Sequence, residues 1–379
     1  MAEFEVLVRE IEHEVENHPN ADRLSLIRID DFICISAKLE NGEHRYKKGD
    51  LLVYVPEGAI VPENLLKRGF WDETKNKGIL AGSKGNRVKA IKLRDIVSQG
   101  IVFPVIDGEV EGIKIPTKIN ENVADILGIT KYVPEIPIGM AGEVLNLFGI
   151  PDKYDFESIQ KITDMFDSNM LVVATEKLHG SCMQFGLIPS LHNEELFGEN
   201  KNIYVCSKGL GAQGLVFKNN EANNNNIYVR ILRGLLENDL EYKMKNLVND
   251  EPHAEIRIFG EVFGKGIQDL GYGLDKPHFR LFDIKIGNTW VSHGAGSLKF
   301  FADKLGIETV PELYTGPYDT DILKDYRDGK DTISGTHVRE GIVIRAFDES
   351  NRHPIHGRRI AKWVSPNYLL RKGETTEYQ

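Results

Sequence analysis

Charged side chains set inside apolar, β-branched runs place the tightest limit on what this chain can become. Leu171, Val172, Val173 and Thr175 lead to Lys177 and then to a turn at His179-Gly180, and the chain leaves through Ser181, Cys182, Met183 and Phe185. The run IRIFGEVFG at 256–264 holds Glu261 between apolar neighbours, EGIVIR at 340–345 opens on Glu340, and IAKWVS at 360–365 carries Lys362. Each run has the length and the β-branched or aromatic content of a strand. Any one of these charges, taken alone, fits a strand edge or a solvated face. Four together are harder to dismiss, because a charge taken out of water is costly unless it is paired. Two lysines and two carboxylates suit a site for a nucleoside triphosphate and a divalent cation. The carboxylates offer oxygen ligands to the metal, one lysine contacts phosphate and the other attacks it.

A lysine nucleophile needs help from its surroundings. At a pKa of about 10.4 only about 0.04% is free amine at pH 7, a penalty of roughly 4.6 kcal/mol. A second cation nearby, such as Lys362, Arg345 or a metal, lowers that pKa, as does partial burial.

The first 140 or so residues read differently. Short runs near 4–11, 24–29, 51–55 and 85–104 are separated by turn signals: His18-Pro19-Asn20-Ala21-Asp22, Asp30-Asp31, Asn41-Gly42, Pro56 and Ser98-Gln99-Gly100. Several short strands with glycine-marked turns predict a small closed barrel. Lys84, Arg87, Lys89, Lys92 and Arg94 form a basic cluster around one strand, and Phe70, Trp71 and Phe103 are candidate stacking groups. The chain carries a net charge of −10, which excludes a general cationic coat for nucleic acid but leaves room for a local basic groove. Residues 105–170 read as a connector, with a short helix at 123–127 and a longer one over 154–166, where Ile159, Ile162, Met165 and Phe166 fall at helical spacing. The asparagine-rich stretch 219–226 reads as a flexible loop and 227–247 as one amphipathic helix. Cys34, Cys182 and Cys206 form no CxxC pair, so neither a zinc site nor a disulfide framework is expected. No stretch approaches the roughly 20 apolar residues of a membrane span. A soluble intracellular protein, cytoplasmic by default and monomeric, is the expectation.

Two resemblances follow from these residues. The HPNAD element and the strand ending in Ser98-Gln99-Gly100 resemble tRNA-binding domains of the OB type. Lys177-Leu178-His179-Gly180, FGEVFG at 259–264, LFDI at 281–284, EGIVIR at 340–345 and AKWVS at 361–365 resemble, in order, the motifs of the covalent nucleotidyltransferases, the superfamily of polynucleotide ligases and capping enzymes. With the barrel in front, the whole chain resembles the ATP-dependent RNA ligases that carry an N-terminal OB domain, the Deinococcus/Naegleria type. The resemblance implies an α+β fold: an OB-type β-barrel over 1–140 that binds nucleic acid, then an adenylyltransferase domain of ATP-grasp-like antiparallel sheets with helices over 141–379.

It also implies a reaction and its residues. ATP with Mg2+ or Mn2+ would adenylylate Lys177, and AMP would pass to an RNA 5′-phosphate before a 3′-hydroxyl displaces it, as in RNA repair or the sealing of nicked duplexes. Glu176, His179 and Gly180 would line the nucleoside pocket, and Ser207-Lys208 would match a basic element that contacts the nucleotide. Glu261 would touch the ribose or a metal-bound water. Phe282 would stack on adenine, with Phe279 the other candidate. Glu340 would share the metal with Glu261, and Lys362 would hold the α-phosphate. Two departures stand out. Most of the superfamily has Asp where His179 stands, and a neutral imidazole does not replace its charge. The last motif usually carries two lysines, but Ile360 takes the first position, leaving Arg358 or Arg359 to supply that cation. The rival readings are a capping-type guanylyltransferase or a DNA ligase with the same covalent chemistry, and a non-catalytic tRNA- or RNA-binding protein. Lys177, Glu261, Glu340 and Lys362 together argue against the last.

Overall fold

A computed structural model describes residues 4–67, 69–248, 254–294 and 297–371. The chain divides into two compact units, Ala2–Val133 with Gln160–Thr163, and Pro134–Ile159 with Asp164–Gln379.

In the N-terminal unit, β1 (Leu7–Glu10) pairs with β4 (Leu51–Val55), which pairs in turn with β7 (Ile101–Pro104), all antiparallel. The hairpin β2 (Leu24–Ile29) and β3 (Phe32–Ala37) turns at Asp30, whose φ is +50°. Burial alternates along β2, the period-two signature of a strand with one face in a core. A second hairpin, β5 (Ile91–Leu93) and β6 (Ile96–Ser98), turns through Arg94 and Asp95, both left-handed. The two hairpins are tied together where Gln99 N–H donates to the Ile33 carbonyl at 2.8 Å and Ile35 N–H to Ser98 Oγ at 3.0 Å. The HPNAD turn has a definite task. His18 Nε2 lies 3.0 Å from the Leu93 carbonyl and Asn20 Nδ2 donates to the Arg94 carbonyl at 2.9 Å, so the turn grips the β5–β6 hairpin. Of the candidate stacking groups only Phe103 is fully withdrawn, while Phe70 and Trp71 are half-buried. Phe103 is buried, Phe70 meets it edge-on at 5.8 Å, and Trp71 packs on the same core.

Two large antiparallel sheets dominate the second unit. One has the order β14 (Glu312–Pro317), β8 (Leu171–Lys177), β15 (Gly341–Ala346), β16 (Ile360–Val364). The other runs β10 (Ile203–Ser207), β9 (Ser181–Leu187), β11 (Ile256–Gly264), β12 (Pro277–Ile286), β13 (Thr289–Trp290). The chain crosses from β8 to β9, and so from one sheet to the other, in three residues: Leu178, His179 and Gly180. Met183, Phe185 and Leu187 of β9 share a core with Ile256, Ile258 and Val262 of β11 and with helices α2 (Ile227–Leu236), α3 (Leu240–Leu247) and α4 (Ser297–Leu305). Successive strand residues point to opposite faces, so Cys182 and Glu261 turn away from those helices.

Three expectations fail here. The stretch 154–166 is not helical. Its first half instead runs beside β16, where Lys362 N–H donates to the Glu157 carbonyl at 3.0 Å and Ile159 N–H to the Lys362 carbonyl at 2.9 Å. The stretch 227–247 is two helices, α2 and α3, broken at Asp239, whose φ of +60° no helix continues through. The asparagine-rich stretch is ordered by its own side chains. Asn223, fully buried, donates to the Glu143 and Lys218 carbonyls at 2.8 Å each and accepts from Glu143 N–H at 2.8 Å. Asn226 caps α2 by accepting from Tyr228 and Val229 N–H at 3.0 and 3.1 Å. Losing such a cap costs about 1 kcal/mol, and Asn226 also donates to the Ala141 carbonyl at 3.1 Å. Asn226→Ala is therefore expected to lower unfolding free energy by about 1–2 kcal/mol in urea titration, and an unchanged midpoint would contradict the capping role.

Candidate active site

The register of the four-stranded sheet lays out one wall of the site. Cross-strand partners in an antiparallel sheet share a face. Lys177 of β8 faces Gly341 of β15, which faces Val364 of β16; Thr175 faces Val343, which faces Lys362; Val173 faces Arg345, which faces Ile360. The opposite wall comes from the other sheet, with Cys182 across from Glu261. Between the walls lies a cleft of about 820 Å³, open solvent at its mouth included, whose lining contains Lys177, Glu261, Phe282, Glu340, Arg345 and Lys362. The sequence-predicted nucleophile, both carboxylates, the aromatic and the second lysine thus meet in one place.

Each is held by local geometry. Lys177 Nζ lies 2.5 Å from Glu340 Oε1. Gly341, which follows Glu340, has φ +152°, and a Cβ there would lie 2.2 Å from the Trp363 carbonyl oxygen, so only glycine lets β15 approach β16 so closely. Gly180 is equally confined, since a Cβ would lie 2.3 Å from the Val262 carbonyl oxygen. Phe282 sits at a β-bulge: Phe259 pairs with Asp283 and Gly260 with Leu281, leaving Phe282 over. A bulge re-aims its side chain, which is why Phe282 reaches the cleft while Leu281 and Asp283 on either side are fully buried. Phe279, the alternative aromatic, packs instead against Phe185 at 5.7 Å on the helix-covered core.

Other sequence-predicted residues are placed differently. Glu176 contributes to the cleft lining, but its carboxylate accepts from Thr332 N–H at 3.0 Å and Thr332 Oγ1 at 2.5 Å, with Arg339 Nε 3.9 Å away. Burial pushes its pKa up, against Thr332 and Arg339. Ser207 is not on the lining; its Oγ accepts from Leu210 N–H at 3.3 Å and caps α1 (Lys208–Ala212). Lys208 does line the cleft, with Nζ 3.0 Å from Asp155 Oδ1. His179 is 1% exposed and both ring nitrogens are engaged, Nε2 with Asp269 Oδ1 and Nδ1 with Tyr368 Oη, each at 2.7 Å. Burial holds its pKa below the usual histidine range. The basic candidates of the N-terminal unit do not share one strand. Lys92 is on β5 and 3.3 Å from Asp95, Arg94 is in the following turn, and Lys84, Arg87 and Lys89 precede β5. Lys84, Lys92 and Arg94 are exposed, whereas Arg87 lies over the Tyr132 ring at 4.3 Å.

Neither arginine proposed to replace the lysine missing at Ile360 reaches the cleft lining. Arg359 donates to the Met165 carbonyl at 2.5 Å and meets Asp167 at 3.2 Å. Arg358 forks onto Glu349 at 2.9 and 2.5 Å, meets Asp283 at 2.9 Å and lies 3.9 Å over the Trp290 ring. The cation in that row of the wall is Arg345, the cross-strand neighbour of Ile360. Its guanidinium donates to Thr175 Oγ1 at 3.0 Å and lies 3.5 Å from Tyr154 Oη. Tyr154 has no counterpart in the expectations, which assigned it to a helix. Its hydroxyl donates to Asp283 at 2.8 Å and its ring lies 4.7 Å from Phe259 and 5.3 Å from Phe282. Burial pushes the Asp283 carboxyl up, but Arg358 and Arg345 outweigh it and hold the pKa below the usual range.

Among the described residues no group of three or more His, Cys, Asp and Glu gathers as a ready-made metal site. Glu261 and Glu340 nonetheless give the cleft two hard oxygen donors, a set that fits Mg2+ or Mn2+ shared with substrate phosphates and water. No helix among the described residues is long and apolar enough to cross a membrane.

An antiparallel cleft brings a lysine, two carboxylates and further cations together, a set of groups suited to an anionic ligand and a divalent metal. Residues 170–364 match the RNA ligase family, and the chain belongs to it. Residues 6–105 match an OB-fold domain. Among solved structures, the chain is similar to Naegleria gruberi RNA ligase with PPi, at 21% identity and a TM-score of 0.71 over 97% of this chain and 98% of that one. A variant of that ligase with AMP and Mn superposes at 20% identity and a TM-score of 0.70, again over 97% and 98%. A further variant, with ATP and Mn, gives 21% and 0.72 over the same shares. No curated protein matches the chain in sequence.

His293 gives a pH test of the cluster behind Phe282. Burial, then the positive charge of Arg345, drives its pKa down to about 3. Because the folded value lies below the ordinary 6.5, the stability gained by keeping the ring neutral is intact above pH 6.5. It drains away as pH falls from there toward 3, by up to about 1.4 kcal/mol per pH unit. His293→Asn is expected to flatten the acid limb of unfolding free energy against pH between 6.5 and 5. Parallel limbs for the two proteins would show that His293 is not buried neutral.

Proposed function

We propose that this RNA ligase is ATP-dependent and works through a Lys177–AMP intermediate. The observation that carries the reading is Lys177 at the end of β8, facing a cleft whose walls also carry Lys362, Arg345 and Phe282. Nζ attacks the α-phosphorus of ATP and pyrophosphate leaves. AMP then passes to an RNA 5′-phosphate, and a 3′-hydroxyl attacks that end, forming the phosphodiester and releasing AMP. Phe282 stacks on adenine, beside Gly180 and the Glu176 backbone. Lys362 and Lys208 oppose charge on the phosphates, the electrostatic contribution that dominates phosphoryl transfer. Lys177 must shed a proton to attack, and Glu340 Oε1, 2.5 Å away, is within reach to take it. Mg2+ or Mn2+, held by oxygens of Glu340 and Glu261, would supply positive charge against the triphosphate. The similar Naegleria ligase with PPi, with AMP and Mn, and with ATP and Mn supports this choice of nucleotide and metal.

Residues 1–140 are proposed to bind the RNA ends, in a single strand or a nicked duplex, and 141–379 to transfer AMP, in a protein acting as a monomer. Lys84, Lys92 and Arg94 are the exposed basic groups of the N-terminal unit that suit phosphate contact, with Arg87 and Lys89 beside them in sequence.

With α-labelled ATP and magnesium or manganese, the protein should retain label through a denaturing gel, and Lys177→Ala should abolish it. Label absent from wild type, or persisting in the variant, would remove the covalent mechanism. Replacing Lys84, Lys92 and Arg94 by Glu should leave RNA-independent labelling intact. Binding of nicked RNA should weaken, with a salt slope reduced by roughly one unit for each phosphate no longer neutralised. An unchanged slope would exclude this surface.

A further inference from the structure

The turn that carries the chain out of Lys177 is clamped from two distant segments, and of the clamping groups only Gln268 lines the cleft. Asp269 Oδ1 lies 2.7 Å from His179 Nε2, Tyr368 Oη 2.7 Å from His179 Nδ1, and Tyr272 Oη accepts the His179 backbone N–H at 2.7 Å. Arg371 grips both oxygens of Asp269, one of them at 2.9 Å. Gln268 donates to the Gly180 carbonyl. Asp269 and Tyr272 belong to the loop after β11, whereas Tyr368 and Arg371 belong to helix α5 (Pro366–Leu369) and the residues just beyond it. Asp269, Tyr272, Tyr368 and Arg371 are all missing from the cleft lining, which His179 and Gly180 do reach.

These partners fix more than location. A carboxylate only accepts, so Nε2 must carry a hydrogen to meet Asp269; in the neutral ring Nδ1 is then the acceptor, and Tyr368 O–H donates to it. A ring flip would strand both partners, and a buried polar group left without its hydrogen bond is unfavourable, more so beside a charge. One rotamer and one tautomer of His179 are thereby selected. With the backbone N–H also held, the turn at 178–180 has a single seat. Lys177 is its last strand residue, and Glu340 Oε2 lies 3.8 Å from His179 Nδ1. Where most of the superfamily holds a carboxylate directly at the turn, this chain sets the carboxylate one imidazole further out, on Asp269.

We propose that Asp269, Arg371 and Tyr368 are positioning residues for the reaction: acting through His179, they aim Lys177 at the α-phosphorus. This rests on the reading of Lys177 as the nucleophile. None of the three lines the cleft, so they should govern how fast the bound nucleotide is attacked and leave its binding alone.

The test is single-turnover labelling of the full chain with α-labelled ATP in wild type, Asp269→Asn and Tyr368→Phe, with circular dichroism and the total labelled fraction as controls for folding. The expected result is a ten- to hundred-fold fall in the rate of label capture at saturating ATP, with half-saturation within twofold of wild type and the final labelled fraction preserved. His179→Asn combined with Asp269→Asn should be no slower than His179→Asn alone, because both act through the same ring. Unchanged rates in both single variants would overturn the inference while leaving the nucleophile in place. So would a rise in half-saturation without a slower rate, or a loss of labelled fraction with the rate per labelled site intact, the mark of a merely structural role. Absence of label in wild type would overturn the reading of the site and this inference with it.

Discussion

Lys177 lies opposite Gly341 across an antiparallel pair, and the rest of the cleft depends on that register. Because β15 begins at Gly341, Glu340 emerges beside the amine. Because side chains alternate, Thr175 and Val343 continue the same face, and β16 adds Lys362 one row along. Three residues then carry the chain to the facing sheet. The cleft is the gap between two sheets joined by a turn too short to let them drift apart, and a Cβ on Gly180 has no room against the Val262 carbonyl.

Behind the aromatic wall, buried charge is satisfied rather than avoided. Asp283 is fully buried and meets Tyr154, Arg358 and, at 4.0 Å, His293, while Glu349 takes the fork of Arg358. A buried ion pair of this kind adds little net stability, but losing one partner strands a charge and costs several kcal/mol, roughly 3–5. Its service here is mechanical. Asp283 and Leu281 anchor the two sides of the bulge that leaves Phe282 facing the cleft, and Tyr154 backs the Phe282 ring. Rigid support of this sort keeps an aromatic platform from collapsing into an empty cleft.

The sequence was most legible where an unusual residue type met a regular period. Lys177, Glu261, Glu340 and Lys362 are conspicuous because each interrupts an apolar strand, and the structure gathers all four. It was least legible where a side chain's partner lies far along the chain. Tyr154 and Asp283 are separated by 129 residues, and Tyr368 and His179 by 189, so neither pairing leaves a local trace. Helical spacing in 154–166 misled because a segment whose backbone bonds are taken by β16 can bury Ile159, Met165 and Phe166 without being a helix. The asparagines at 219–226 misled in the opposite sense. Short amides often mark loops, and here they are the very groups that order one. Arg358 and Arg359 showed that a cation near the right position in sequence is not thereby near it in space, since each was already committed to a carboxylate.

Glu176 acquires a meaning from its position next to the nucleophile. A strand that slips by one residue exchanges its two faces. In β8 such a slip would turn the Glu176 carboxylate into the cleft and swing Lys177 to the side of Thr332, replacing the attacking amine by a third carboxylate that repels the incoming phosphates. The grip of Thr332 on Glu176 from the far face works as a key in a keyway. It adds nothing to the chemistry directly, yet a misthreaded sheet would lose the Thr332 hydrogen bonds to Glu176 and set an acid against the phosphates, so that the favoured alignment is the one with lysine inside.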